Sequence, residues 1–183
     1  CDSEAWAYIQ TLSPPSFNRT NFVQFVTTNL PEDWDRYSIS LDLTDPLLEG
    51  QLLQFGFSAT ASNFEPSGVF YDNVLVETGP AGGGGTTEYA EDFESLDQAS
   101  PTALGDAGWD VFGNAFEADG TTFLYGYGPF PAPNNTGGFS GIALNEGGAE
   151  QGAQQLVIFT RLQASLAHPE SNVPAFGKLD GIA

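Results

Sequence analysis

The chain is 183 residues long and carries 4 Lys+Arg against 24 Asp+Glu, a formal net charge of −20. So few cations exclude nucleic-acid binding, because phosphates could not be neutralised, and they disfavour anionic membrane surfaces. With 40% hydrophobic and 13% aromatic residues, the chain can still bury a core, so it is not disordered throughout.

In chain order, the first strand signal is 5–12, rich in aromatic and β-branched residues and ended by Ser13-Pro14-Pro15. Residues 22–28 alternate and predict a second strand. After a turn at Asp33-Trp34-Asp35, residues 36–43 alternate strictly, with Tyr37, Ile39, Leu41 and Leu43 inward and Ser38, Ser40 and Asp42 outward. Leu47-Leu48 predicts a short helical turn, and 51–58 and 69–76 predict further strands. Trp6 and Trp34 fit core or strand-edge packing. The run Gly79-Pro80-Ala81-Gly82-Gly83-Gly84-Gly85 cannot hold regular structure and is expected to be a linker.

Beyond the linker, 89–94 opens a new set with acids beside an aromatic. A Gly-rich segment around Trp109-Asp110-Val111-Phe112 follows, then strand signals at 123–127, 139–144 and 154–159. Nothing long has helical period. Short strands punctuated by Gly, Pro and Asn predict an all-β sandwich.

Two blocks resemble a known kind of module. Residues 34–39, Gly50-Gln51-Leu52-Leu53-Gln54-Phe55-Gly56-Phe57 and Val69-Phe70-Tyr71-Asp72-Asn73-Val74 resemble the C-terminal half of jelly-roll, carbohydrate-binding-type (galactose-binding-like) modules of secreted bacterial enzymes and surface proteins. Glu91-Asp92-Phe93-Glu94-Ser95, with Gly108-Trp109 downstream, looks like the N-terminal half of the same kind of module. The likeness lapses beyond Phe159.

The halves stand in reversed order: 1–78 as an ending, 79–87 as the linker, 88–183 as a beginning. Either the chain is a piece of a tandem array, or the halves close into one sandwich, as a circular permutant would, or by strand exchange between two chains. Closure is favoured, since neither half has enough strands to bury both faces of a sandwich.

The resemblance implies a structural calcium where the closing and opening strands meet. There Asp72, Asn73, Asp92 and Glu94 would converge to give the carboxylate and carbonyl oxygens that Ca²⁺ takes. Capping of strand ends by solvated acids is the alternative, and no EF-hand loop occurs. For glycan binding, which needs exposed aromatic faces flanked by amides, the candidates are Trp109, Tyr125, Tyr127 and Phe130 with Asn114, Asn134 and Asn135. The same rings could instead fill a sandwich core.

Catalytic signals are weak. Cys1 and His168 are the only thiol and imidazole, no Gly-x-Ser-x-Gly or His-Glu-x-x-His occurs, and with 24 acids any chosen carboxylate pair means little. A single cysteine excludes an internal disulfide and a cysteine zinc cluster. The absence of Met implies a processed product or a piece of a longer chain, with lipidation of Cys1 an alternative. The composition suits a secreted, extracellular chain. The sequence thus leads to a non-catalytic glycan-binding module with a structural calcium. The alternatives are an adhesive or filament-forming repeat, or a glycan-active enzyme.

Overall fold

The computed structural model describes residues 4–27, 30–60, 67–80, 85–116, 122–135, 140–160 and 173–178; Cys1, His168 and the glycines 82–84 of the linker lie outside them. The chain is all-β. Its strands are β1 (Glu4–Ser13), β2 (Asn18–Val26), β3 (Leu52–Thr60), β4 (Ser67–Tyr71), β5 (Val74–Thr78), β6 (Thr86–Glu91), β7 (Trp109–Phe116), β8 (Phe123–Pro131), β9 (Ser140–Leu144), β10 (Gln154–Thr160) and β11 (Val173–Lys178). They form antiparallel sheets in the orders β2-β1-β3-β11-β7-β8, β4-β10-β9 and β5-β6.

The core lies between the six-stranded sheet and the two smaller ones. From the large sheet come Ala5, Phe55, Phe57, Ala59, Trp109 and Val111, and from the facing side come Tyr71, Ile142, Leu156 and Ile158, all buried. Phe57 stacks on Tyr71 across the interior at 3.8 Å between ring centres and on Trp109 at 6.0 Å. Phe93 and Leu104, both fully buried, plug the same core from irregular backbone and from a four-residue helix, Ala103–Asp106.

Strands ahead of the glycine run and strands behind it share these sheets. β5 pairs with β6, Val74 opposite Glu91 and Thr78 opposite Thr86, while β4 pairs with β10 and β3 with β11. The segments 1–78 and 88–183 thus contribute to one interior.

Three expectations need correction. Residues 36–43 form no strand: they alternate, but among the described residues no neighbour pairs with them, and Tyr37 instead lies on Phe25 at 4.5 Å. The strand expected at 69–76 is two strands, broken at Asp72-Asn73, where Asn73 takes a φ of 49°. Asn tolerates this left-handed conformation better than most residues. The unassigned tail supplies β11, which sits between β3 and β7 in the middle of the large sheet. The expected helical turn occurs as a 3₁₀ turn, Pro46–Leu48, whose cap Asp45 accepts from the Leu47 N–H at 2.9 Å.

β8 closes against β7 through a bulge. Gly113 faces Tyr127 and Val111 faces Phe130, so Gly128-Pro129 is accommodated opposite Phe112 alone. Gly128 has a φ of +88°, and a Cβ there would stand 2.5 Å from the Val111 carbonyl oxygen and 2.6 Å from the Phe112 Cβ. Gly128→Ala should therefore destabilise the protein by about 1–2 kcal/mol through backbone strain and a clash that no rotamer relieves. A thermal melt checks this, and an unchanged midpoint would mean the bulge yields freely.

Candidate functional site

The chain ends of three segments meet beside Asp72. The first is the β4–β5 break. Asp72 Oδ1 accepts from the Asn73 N–H at 2.7 Å, and the Asn73 side-chain amide donates to the Glu150 carbonyl at 3.2 Å. The second is the turn after β6, where Phe93 has a φ of 60°. Glu91 Oε1 accepts from the Phe93 N–H at 2.7 Å and Asp92 Oδ1 from the Glu94 N–H at 3.1 Å. These short acidic side chains stabilise a turn that drives the Phe93 ring inward.

The third segment is the approach to β10. Glu94 Oε1 accepts from the Ala153 and Gln154 N–H groups at 2.7 and 2.6 Å, charge-assisted bonds that fix the 91–96 turn to the start of β10. Gln154 returns the connection, its amide donating to the carbonyls of Phe93, Glu94 and Leu96. Gly152, at a φ of +61°, lets the carboxylate in: a Cβ there would stand 2.4 Å from Glu94 Oε1.

Asp72 is the unusual member. Its Oδ2 is buried and has no hydrogen-bond partner among the described residues. Its carboxyl is pushed up to about 6, by burial first, with the charges of Glu94 and Asp92 adding and the Asn73 N–H opposing. Asp72 is therefore an electrostatic neighbour of Asp92 and Glu94, although it lies 20 and 22 positions before them in sequence, across the glycine run.

Among the described residues no three His, Cys, Asp or Glu side chains stand close enough together to hold a metal ion as a group. A cation here would therefore have to draw on carbonyls and water besides one or two carboxylates, and Asp72 Oδ2 is the carboxylate oxygen that the described residues leave buried and unpartnered. The residues missed in the sequence are Glu150, Gly152 and Gln154. The only signal for them was the glycine spacing of the turn before β10.

The aromatic candidates divide. Trp109 is 1% exposed, enclosed by Phe55, Phe57, Tyr89 and Phe93, and cannot offer a face to a sugar. Asn134 is 2% exposed, its amide donating to the carbonyls of Gln98 and Ser100 while its Oδ1 accepts from the Ile142 N–H. It is a structural bracket, with no bonding capacity directed to solvent. Asn114 lies opposite Gly126 and alternates with buried Gly113, so it stands on the outer face of the sheet, away from Tyr125. Asn135 is exposed but lies past the end of β8, its N–H donating to the Ser140 carbonyl. Neither amide flanks the tyrosine.

Tyr125 and Phe130 do share one sheet face. Tyr125 pairs with Ala115 and Phe130 with Val111, so both stand on the face that carries buried Trp109 and Val111. Yet Val111 is fully buried and its neighbour Phe130 is 40% exposed, with Tyr125 at 45%. β8 is thus an edge strand whose inward-facing aromatics overhang the covered core and form a ledge. Tyr127 occupies the position opposite Gly113; its side chain lies outside the described residues. Phe123, 58% exposed near the start of the strand, pairs with Phe116 across a second bulge and so stands on the other sheet face, beside Gly126 and Asn114.

Comparison with protein-family models, with curated proteins and with solved structures found no match.

Proposed function

We propose that the chain is a non-catalytic, extracellular glycan-binding β-sandwich of the jelly-roll type, steadied by a calcium ion at the Asp72 junction. The observation that carries the binding reading is the ledge of β8, where Tyr125 and Phe130 stay 45% and 40% exposed on the sheet face that carries the core. Sugar rings pack their apolar faces on aromatic rings, and such a surface on a folded domain marks an interaction site. Asp72, with its unpartnered buried oxygen, would hold the ion together with Glu94, and Asn73 and Asp92 would lie beside it. The ion's part would be structural, tying the β4–β5 break to the turn after β6.

A glycan array probed with the labelled chain tests the reading. Binding to at least one polysaccharide is expected, reduced by Tyr125→Ala while the melting midpoint moves by less than that of a core substitution, because exposed side chains typically contribute within about 0.5 kcal/mol. Binding to no glycan on the array would remove this function.

A further inference from the structure

We infer that the β8 ledge takes a neutral, extended polysaccharide gripped along the middle of its chain, an inference that rests on the glycan reading above. Residues 122–131 contain no Asp, Glu, Lys, Arg or His. The one charged residue on β7, Asp110, pairs with Pro131 and stands on the opposite face from Tyr125 and Phe130. Among the described residues an acidic glycan would meet no cation at this surface while approaching a chain of net charge −20. A cationic glycan would need carboxylates beside the rings, and among the described residues the paired strands place none on that face.

The shape argues for a run of sugars. Tyr125 and Phe130 sit opposite Ala115 and Val111, four residues apart on β7, so the rings are separated by roughly 13 Å along the strand. That spacing suits a ligand crossing both platforms. A pocket that closes round a terminal sugar would instead bring aromatic and polar groups together at one point. A second copy of this chain is a poorer occupant. Pro129 and Pro131 lack the N–H groups that an added strand would need, which is how edge strands are commonly protected from pairing.

Affinity electrophoresis of the full chain separates these outcomes, using gels that contain a neutral β-glucan, a neutral mannan or polygalacturonate, at low and high salt. Retardation is expected in a neutral gel, insensitive to salt and not competed by monosaccharide. Tyr125→Ala and Phe130→Ala should each weaken it about tenfold, the change that corresponds to roughly 1.4 kcal/mol. Tyr125→Phe, which keeps the ring, should retain binding and guards against a folding artefact. Asn114→Ala, on the other face, should leave it unchanged.

Retention by polygalacturonate alone would overturn the neutral assignment while leaving glycan binding intact. Competition by free monosaccharide would overturn mid-chain binding. Retention that survives the Tyr125→Ala/Phe130→Ala double substitution would move the site elsewhere. A concentration-dependent dimer that the same double substitution dissolves would give the ledge to a second copy. Retention by no polysaccharide would remove the underlying function as well.

Discussion

Trp109→Ala should cost about 3–5 kcal/mol of folding stability, the range for emptying a large aromatic site in a core. The indole is 1% exposed and contacts Phe55, Phe57, Tyr89 and Phe93, so its removal leaves a cavity lined by four other rings. A domain stabilised by about 5–15 kcal/mol loses from about a fifth of its margin to all of it, and at this chain length the melting midpoint should fall by roughly 6–20 °C. Trp109→Phe should cost much less. A smaller ring keeps most of the aromatic contact with Phe55, Phe57, Tyr89 and Phe93. Differential scanning calorimetry of the two variants beside Tyr125→Ala gives the check. If Trp109→Ala melted like the parent and lost only glycan retention, the burial of this residue would be refuted.

That contrast also shows how far the sequence could be followed. Alternation places Trp109 and Tyr125 on strands equally well, and pairing then puts both on one sheet face. Which of them is covered depends on how far the opposite layer extends, and no local pattern encodes that. Residues 36–43 fail for a related reason: alternation describes a segment able to line a sheet, but a ladder needs a neighbour with free N–H and C=O groups. β11 is the reverse case. Val-Pro-Ala-Phe-Gly-Lys carries a proline and a glycine and gives a poor strand signal, yet β3 and β7 lie on either side of it and supply the pairing.

The Asp72 junction was legible in part, because an acid-Asn pair ending one strand and an acid-Phe-Glu turn opening another are local features. That Glu94 spends one oxygen on the Ala153 and Gln154 amides was not legible, since those partners lie about 60 residues away in sequence.

Calcium should raise the stability of the protein at neutral pH, and EDTA should remove the gain. An ion that binds only the folded state at 100 times its dissociation constant contributes about 2.7 kcal/mol, a rise of roughly 5–10 °C for a chain of this size. Asp72→Asn should abolish the response. The metal-free protein supplies an independent arm through pH. The Asp72 carboxyl sits at about 6 in the folded chain, above its ordinary value of 3.8. A carboxyl raised by folding favours the native state below the unfolded value, and that contribution is lost as pH rises through about 6.

In EDTA, then, the protein should gain stability on acidification across that window, by about 1 kcal/mol once solvent screening of this partly exposed group is allowed for. Relief of the −20 charge acts in the same direction, so the Asp72→Asn variant is the reference that isolates the single carboxyl. With calcium present the trend should reverse, because protons then compete with the ion for the same oxygen. Identical melts with calcium and with EDTA at neutral pH, together with an Asp72→Asn variant more stable than the parent, would make Asp72 a buried acid held at a cost and not a ligand.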